Sequence, residues 1–357
     1  MRLPLFPFRC VSAIGLYALS SLPLSASLNL DFNFDGTVSG DAQAAALRAA
    51  GTWESVLADD VTVTVDFGFA SLGASTLGST SSVSLQGGFD LIRNQMVADN
   101  AVESAPNAIL ISLPTAATAS FTFLSNYGAN AITYGLSGNL TATKANFKAL
   151  GFSGLDTNFG ASDGTFSFSD SFNFDFDNRD GVSAGSYDFE SVVLHEIGHV
   201  LGFMSVVDEI DYRLAQGETT IDGIAPTILD LFRFDSDNLP TDDAEFAAFG
   251  RDLSTEDSAS LSDASIAYTM ETGNATGSGQ QASHFKDNAE IGTMDPTLSP
   301  GELAVLSAAD LLALDLIGWD VNPGAFLAIP EPAATALLTA SLALLCVMRR
   351  RSHMLVR

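Results

Sequence analysis

The sequence predicts an α+β fold, in which a twisted mixed sheet carries packed helices and an irregular C-terminal part follows. Apolar residues make up 46% of the 357 residues, which is enough to bury a large core. Residues 61–69 alternate polar and apolar side chains with the period of a half-buried strand. Residues 191–203 and 308–316 are apolar runs of helical length, each with a glycine at or just after its last turn.

The first half of the chain alternates strand and helix signals. Residues 31–36 predict a short extended segment and a turn, and residues 41–57 predict a helix capped by Asp41. Serine, threonine and glycine dominate residues 72–88, which predicts surface loops and weak strands. The other predictions are helices at 89–102 and at 143–150, stopped by Gly151, and strands at 108–113, 119–124 and 165–168, the last at a sheet edge.

The second half is organised around the helix at 191–203. Asp188 is its predicted N-cap and Gly202 its stop, because the residue after the last helical turn commonly adopts a positive φ. Beyond Gly202 the chain is rich in Asp, Thr, Gly and Pro. The regular signals there are an apolar segment at 228–234, a strand at 267–270, a helix at 308–316 capped by Ser307 and ended by Gly318, and a linker at 324–329.

The first 27 residues have the features of a secretory signal peptide. Two arginines precede an apolar run at 11–24, and small residues follow it. Cleavage is predicted near Ala26 or Ser27. A transmembrane anchor is the alternative, but the run is short and the small residues favour cleavage.

The C-terminal segment has the features of a sorting signal. Pro330, Glu331 and Pro332 precede sixteen uncharged residues, 333–348, and a cluster of three arginines. A buried C-terminal helix is the alternative, although the arginines would then abut the core. The order resembles the PEP-CTERM signal of Gram-negative bacteria. This resemblance implies recognition by an exosortase-like processing enzyme, membrane anchoring only before processing, and delivery to the cell surface or the exterior.

Charge and cysteine content exclude some classes of protein and site. The formal net charge is −28, and residues 28–329 carry 42 acidic against 9 basic residues, about −33. A nucleic-acid-binding surface needs basic residues and is therefore excluded. Cys10 and Cys346 lie in the two end segments, so residues 28–329 have neither a disulfide framework nor a cysteine ligand for a metal.

The helix at 191–203 carries the pattern HExxH at His195, Glu196 and His199. Residues four apart share a helix face, so both imidazoles can bind one metal ion. Glu196 points beside that ion and can take a proton from a metal-bound water, whose pKa zinc lowers to about 7. Because the motif is short, it can also occur by chance in an ordinary core helix. Against this alternative, two imidazoles and an acid that are buried in such a helix would need polar partners. The helix therefore predicts a hydrolytic zinc site.

A catalytic zinc site needs a third protein ligand. His284 is the candidate by elimination, because the one remaining histidine, His353, follows the C-terminal arginines. Two alternatives are present in the sequence. A compact motif would place the ligand at Ser205, a poor zinc ligand, and a thermolysin-type site would use Glu218, followed by Asp222. Two glycines and a proline nearby oppose the long helix that Glu218 would need.

The chain resembles the metzincin metallopeptidases, in particular the leishmanolysin type. Gly202 ends the helix, His284-Phe285 follows after a long insertion, and Met294 comes about ten residues later. The matching parts are residues 188–203 and 283–296. The resemblance implies a metzincin-like catalytic domain, zinc on the three histidines and a methionine turn beneath the metal.

The resemblance also implies an activity, that of a zinc-dependent endopeptidase. It would hydrolyse protein or peptide substrates through a zinc-bound water activated by Glu196. The chain departs from the family in three ways: Pro296 stands where some metzincins have a tyrosine ligand, no cysteine is available for a propeptide switch, and residues 203–283 have no evident similarity that would carry over specificity pockets. The alternative function is a surface or matrix-associated binding protein with a structural or vestigial metal site.

These predictions divide the chain into a signal peptide at 1–27, an N-terminal subdomain at 28–202, a C-terminal subdomain at 203–323 with His284 and Met294, and a linker with the sorting tail at 324–357. Substrate would lie in the cleft between the subdomains. Calcium is a second candidate cation, at the turn that contains Asp175, Asp177 and Asp180. The spacing differs from the twelve-residue calcium loop, which favours a solvated acidic loop instead.

Overall fold

The computed structural model describes residues 27–256 and 258–328 of the chain. The predicted secretory signal, residues 1–27, lies outside the described residues except for Ser27, and the predicted apolar tail, residues 333–348, lies outside them entirely. Within the described part, none of the helices combines the length and the apolar character that crossing a bilayer requires.

Strands and helices are interspersed along the described residues. The strands are β1 (Asn29–Phe34), β2 (Thr62–Ala70), β3 (Gly78–Ser82), β4 (Ser84–Gly88), β5 (Phe121–Thr122), β6 (Asn126–Tyr127), β7 (Asn130–Ala131), β8 (Thr133–Leu136), β9 (Asn139–Thr143), β10 (Gly164–Ser169), β11 (Phe174–Asp175), β12 (Tyr187–Asp188), β13 (Thr220–Ile224), β14 (Arg233–Asp235), β15 (Arg251–Asp252), β16 (Ala259–Ser262) and β17 (Ala267–Met270). The α-helices are α1 (Gly40–Val56), α2 (Phe89–Asn100), α3 (Lys144–Ala149), α4 (Leu155–Phe159), α5 (Phe189–Leu201), α6 (Val207–Ala215), α7 (Asp243–Ala248), α8 (Ala308–Leu316) and α9 (Ala325–Ala328). Short 3-10 helices lie at Ala108–Ser112, Asn178–Asp180 and Leu229–Phe232.

The main sheet has four strands in the order β1-β2-β10-β3. β1, β2 and β10 are parallel, and β3 pairs antiparallel with β10. The α+β class predicted from the sequence is confirmed, and the predicted strand at 165–168 is present as β10. Its predicted edge position is wrong, because β10 lies between β2 and β3. Alternation indicates which side chains are buried but not which strands are neighbours.

Phenylalanine rings connect the main sheet to α5. Phe67 of β2 and Phe168 of β10 have ring centroids 4.7 Å apart, and Phe168 lies 4.9 Å from Phe189, the first residue of α5. Phe168 and Phe189 are fully buried, and Phe67 is nearly so. Burial of such large apolar side chains is strongly favourable. The packing therefore fixes the start of α5 on the sheet.

Helix α1 packs beside α5, and Trp53 donates its indole N–H to the carbonyl of Leu194 at 3.1 Å. Ser39 caps α1, accepting the N–H of Ala42 at 3.2 Å. The prediction of Asp41 as the cap is therefore wrong. Asp41 lies in the first turn, where its negative charge favours the helix N-terminus. Both residue types are good caps, so the sequence did not distinguish them.

Other segments differ from their predictions. Residues 108–113 were expected as a strand and form a 3-10 helix, whose start is capped by Asn107. A short apolar run is compatible with either structure when periodicity alone is considered. The predicted strand at 119–124 shortens to the two residues of β5, and the predicted linker contains α9. Residues 72–88, by contrast, agree with the prediction of surface loops and weak strands, since they form a loop followed by β3 and β4.

Several elements agree with prediction to within two residues at each end, namely α1, α2, α3, α5, α8, β2, β10 and β17. The caps Asp188 of α5 and Ser307 of α8 are also confirmed. These elements have either long periodic patterns or clear end signals, which are the most informative local features of a sequence.

One apolar core continues on both sides of Gly202. It joins the main sheet and α5 to side chains such as Phe232, Leu311 and Trp319 from the second half. Trp319 donates its indole N–H to the carbonyl of Leu201 at 2.7 Å. A smaller apolar cluster surrounds α6 and includes Val207, Ile210 and Leu214. The boundary at Gly202 stays a prediction.

Candidate metal centre

Three histidine side chains meet at the site that the sequence predicted. His195 and His199 lie one turn apart on α5, and His284 reaches them from the loop after β17. The Nε2 atoms of His195 and His284 are 3.1 Å apart, those of His195 and His199 3.1 Å, and those of His199 and His284 3.2 Å. His284 is buried, whereas the two α5 histidines are half-buried, so solvent reaches the site from their side.

A backbone carbonyl fixes the orientation of each ring. Nδ1 lies 2.8 Å from Thr293 O in His195, 2.8 Å from Phe203 O in His199 and 3.1 Å from Gln281 O in His284. Because a carbonyl oxygen only accepts hydrogen bonds, each Nδ1 carries the proton and each Nε2 presents a lone pair. Three lone pairs thus converge on one point, an arrangement that a bound cation stabilises.

The surroundings keep these imidazoles neutral. Burial lowers the pKa of His195, and burial together with the neighbouring His195 lowers the pKa of His199 to about 3. Burial and the two other imidazoles lower the pKa of His284 well below its usual range. At neutral pH all three rings are therefore neutral, with a proton on Nδ1 and none on Nε2, which is the form that binds metal ions.

The local sequence explains how α5 presents two of the rings. The Asp188 side chain accepts the N–H of Ser191 at 2.8 Å and so starts the helix. Gly202 ends it at a φ of +124°, and a Cβ there would lie 2.9 Å from Ile317 Cδ1. The chain can then turn so that the next carbonyl, that of Phe203, accepts from the His199 ring. Gly202 is therefore required both for the helix end and for the orientation of the His199 ring.

Glu196 lies beside the three rings rather than among them. Its carboxylate is not one of the converging atoms, and its Oε2 accepts a hydrogen bond from Thr80 Oγ1 at 2.7 Å. Its Oε1 faces Gly78, where an added Cβ would lie 2.5 Å away. Burial raises the pKa of Glu196 to about 7, although the Thr80 hydrogen bond opposes this effect. Such a carboxyl group can take up and release a proton near neutral pH.

Met294 lies beneath α5, against Gly198. A Cβ added at Gly198 would lie 2.3 Å from Met294 Sδ, so no other residue fits there without movement. The backbone N–H groups of Thr293 and Met294 donate to Asp310, in the first turn of α8, at 2.9 and 3.1 Å. Since Thr293 O accepts from His195, α8 contributes to the position of the His195 ring.

Backbone hydrogen bonds attach His284 to its surroundings. Glu271 donates its N–H to His284 O at 3.1 Å, and Phe285 donates its N–H to Met294 O at 2.9 Å. The Phe285 ring packs edge-on against Phe203, with centroids 5.0 Å apart. His284, the methionine turn and the end of α5 therefore form one packed unit.

The sequence alternatives for the third ligand lie outside this group. Ser205 Oγ donates to Asp230 at 2.6 Å. Glu218 forms an ion pair with Arg213 at 2.9 Å near the surface, and Asp222 is exposed. In the part of the chain that the structure describes, the other group of three converging ligand-type side chains consists of Asp99, Glu103 and Asp320.

The acidic turn considered for calcium is held by its own hydrogen bonds. Asp175 accepts the N–H groups of Asp177 and Ser183, and Asp177 pairs with Arg179 at 2.6 Å. Among the described residues, Asp175, Asp177 and Asp180 do not form a converging ligand group. Calcium binding at this turn stays a prediction.

Five residues at the centre were missed by the sequence analysis: Gly78, Thr80, Gly198, Thr293 and Asp310. Gly198 had a signal, since a glycine inside an otherwise well-formed helix usually has a packing reason. The other four had none. Thr80, for example, precedes Glu196 by 116 residues, and only the pairing of β3 with the sheet brings them together.

The donor set fits a zinc ion. Nitrogen ligands that share one zinc ion at about 2.0–2.1 Å and tetrahedral angles lie about 3.3 Å apart, which is close to the observed Nε2 separations of 3.1 and 3.2 Å. Imidazole donors also suit copper, iron and nickel, so the ligands by themselves define a class of transition metals.

Comparisons of the chain with protein-family models, curated proteins and solved structures find no match.

Proposed function

We propose that the chain is a zinc-dependent endopeptidase with a metzincin-type catalytic domain. The observation that carries this proposal is the convergence of three neutral imidazoles beside a buried carboxylate, that of Glu196. The metzincin assignment is supported by Gly202 at the helix end, by a third histidine from a distant segment and by Met294 beneath α5.

In this proposal each residue has a defined task. His195, His199 and His284 hold the metal through Nε2, while backbone carbonyls hold their Nδ1 protons. Bound zinc supplies Lewis acidity, which polarises a carbonyl group and makes water more acidic. Glu196 accepts the proton of the attacking water on its carboxylate and delivers it to the nitrogen of the leaving amine. Thr80 keeps that carboxylate oriented.

The test compares the wild type with Glu196→Gln on an unfolded protein substrate, with and without a chelator. Glutamine keeps the shape of the side chain and can still accept from Thr80, but it cannot carry the proton. We expect kcat/KM to fall by about 10²–10⁴-fold while the zinc content stays at that of the wild type. Removal of zinc by the chelator should abolish cleavage.

Glu190→Gln is the matched control, because Glu190 lies on the same helix and pairs with Arg48 at 2.8 Å, away from the rings. Its activity should equal that of the wild type. A zinc-loaded wild type that cleaves no substrate would rule out the peptidase and leave the metal a structural role, as in a binding protein. Full activity in Glu196→Gln would instead remove Glu196 as the proton carrier.

A further inference from the structure

The segment that supplies His284 has little regular structure of its own. It lies between β17 and α8, and residues 281–285 form neither a helix nor a strand, apart from a single bridge between Phe285 and Met270. A ligand on such a segment needs other groups to hold it within a few tenths of an ångström of the position that binding requires. Backbone bonds to Glu271 and Met294 act at and after His284, and Gly273 donates its N–H to Gln280 O. Residues 281–283, between these bonds, need a separate support.

Asp208 provides that support from the first turn of α6. Its Oδ1 accepts the N–H of Ala282 at 2.6 Å, and its Oδ2 accepts the N–H of Ser283 at 3.1 Å. Oδ2 also accepts the hydroxyl proton of Ser283. One carboxylate thus takes three hydrogen bonds from the two residues directly before His284.

The same network reaches the end of α5. The N–H of Ser205 donates to Ser283 Oγ at 2.9 Å, and Ser205 lies between the end of α5 and the start of α6. The carbonyl of Gln281, the residue before Ala282, accepts from the His284 ring at 3.1 Å. Asp208 is therefore joined on one side to the helix that carries two ligands and on the other to the backbone that orients the third.

We propose that Asp208 is a positioning residue that holds residues 281–283 so that His284 completes the metal site. The proposal rests on the proposed function, because it takes the three histidines as ligands. Hydrogen bonds to a carboxylate are stronger than those between neutral groups, and they fix the direction of the donors. Loss of the carboxylate leaves the two N–H groups to water and lets the segment move. Binding of the ion must then bring His284 back to the position that the carboxylate no longer holds.

Asp211 offers a matched comparison on the same helix. Its carboxylate accepts the N–H of Ala275 at 2.8 Å and both the N–H and the hydroxyl of Thr276 at 2.6 Å. The chemistry is the same as at Asp208, with two successive backbone donors and one hydroxyl. Ala275 and Thr276 lie earlier in the same loop, and neither of them is a proposed ligand or supplies the carbonyl that orients one.

The experiment measures zinc affinity by competition with a chromophoric chelator for the wild type, Asp208→Ala, Asp208→Asn and Asp211→Ala. Partners of ligands typically contribute about 10–100-fold to metal affinity. We expect Asp208→Ala to weaken zinc binding by about 10-fold or more, and Asp211→Ala by less than about 2-fold. Asp208→Asn should be intermediate, because its one carbonyl oxygen can still accept from Ala282.

A spectroscopic readout separates positioning from general destabilisation. With cobalt in place of zinc, the visible absorption bands should shift in Asp208→Ala and stay unchanged in Asp211→Ala, while both metal-free variants lose comparable thermal stability. Equal zinc affinities in Asp208→Ala and the wild type, or equal losses in the two alanine variants, would overturn the proposal. If Asp208→Ala does not fold, Ser283→Ala, which removes the bridging hydroxyl, and Asp208→Asn decide by the same criteria. A wild type without zinc affinity would instead remove the proposed function itself.

Discussion

At the scale of single residues, glycines decide how closely the parts of the centre approach each other. Gly78 leaves space for the carboxylate of Glu196, Gly198 for Met294 and Gly202 for the turn that directs Phe203 O to His199. A Cβ at any of these positions would overlap another side chain, namely Glu196 at Gly78, Met294 at Gly198 and Ile317 at Gly202. Packing as dense as this explains why small changes at such positions are costly.

Gly198→Ala should lower the free energy of unfolding by about 1–3 kcal/mol, because the new Cβ overlaps Met294 Sδ. Chemical denaturation measures this change. Gly51→Ala is the control: Gly51 lies in α1 with open space around its Cβ position, so alanine there should stabilise the helix by about 0.5–1 kcal/mol. The double variant Gly198→Ala/Met294→Ala should cost less than the sum of the single changes. Additive costs would contradict the contact.

At the scale of elements, acidic side chains in the first turns of helices attach neighbouring loops to those helices. The capping box of α8 uses Ser307 and Asp310, and the same Asp310 accepts from the methionine turn. The first turn of α6 holds the segment before His284 through Asp208. Carboxylates near helix N-termini are favoured by the helix dipole, so these acids stabilise their helices while they attach loops.

A second group of acids lies where α2, α8 and the segments after them meet. We call Asp59, Asp99, Glu103, Asp315 and Asp320 the carboxyl cluster. Ligand-type oxygens of Asp99, Glu103 and Asp320 lie within 4.8 Å of one another, and Asp59 accepts the N–H of Asp320 at 2.9 Å. Burial and mutual repulsion raise the pKa of Asp59 to about 8 and that of Glu103 to about 8, and they raise the pKa of Asp99 to about 7. The folded state therefore binds protons there more tightly than the unfolded chain does.

The sign of the resulting pH dependence follows from linkage. The carboxyl cluster favours the folded state when its acids are protonated, and this contribution is lost as the pH rises through about 7 to 8. The free energy of unfolding should therefore decrease from about pH 4, where these acids ionise in the unfolded chain, to about pH 8, where they ionise in the folded state. Glu103→Gln should reduce this slope and be more stable than the wild type at the upper end. The exposed Glu290→Gln should leave the slope unchanged, and an unchanged slope in Glu103→Gln would contradict the assignment.

At the scale of the whole molecule, negative charge is in large excess and every basic side chain between residues 28 and 329 has an internal partner. Lys144, Arg233 and Arg251 are fully buried, and the others bond to carboxylates or backbone carbonyls. The full set of nine is Arg48, Arg93, Lys144, Lys148, Arg179, Arg213, Arg233, Arg251 and Lys286. The surface therefore offers many carboxylates and few free cations, so self-repulsion opposes the compact state.

Salt should relieve this repulsion. Raising NaCl from 0.1 to 1 M shortens the screening length from about 10 to about 3 Å, so the Tm should rise by at least a few degrees. Thermal unfolding followed by circular dichroism measures the shift. KCl should act like NaCl if screening is the cause. A Tm that stays constant or falls with salt would show that repulsion is not a significant cost of folding.

Metal binding should stabilise the entire fold, because the three histidines connect α5 with a segment 85 residues further along the chain. Zinc at 100 times its Kd would add about 2.7 kcal/mol to the free energy of unfolding. A chelator should therefore lower the Tm of the loaded protein, and added zinc should restore it. His284→Ala should have a low Tm that neither reagent changes. A zinc-dependent Tm that persists in His284→Ala but disappears in Glu218→Ala would favour the thermolysin-type alternative.

Much of the local structure could be predicted from the sequence, but less could be predicted of how the elements are arranged. The helix at α5, its cap at Asp188 and its end at Gly202 follow from short-range interactions that are visible in the sequence. The edge position of β3, the 3-10 helix at 108–112 and the cap of α1 at Ser39 did not follow. In each of these cases two local structures or two partners were compatible with the same pattern, and contacts elsewhere in the chain made the choice.

The sequence by itself determined that two imidazoles and an acid share one helix, since spacing along a helix is a local property. It also left His284 as the one further histidine outside the tail, which is a matter of counting. The tertiary structure alone decided that Thr80 meets Glu196, that Thr293 orients His195 and that Asp208 holds the residues before His284. These contacts span between 75 and 116 residues, and no periodic pattern encodes them. They arise only when folding brings β3 beside α5, α6 to the residues before His284 and Thr293 to the His195 ring.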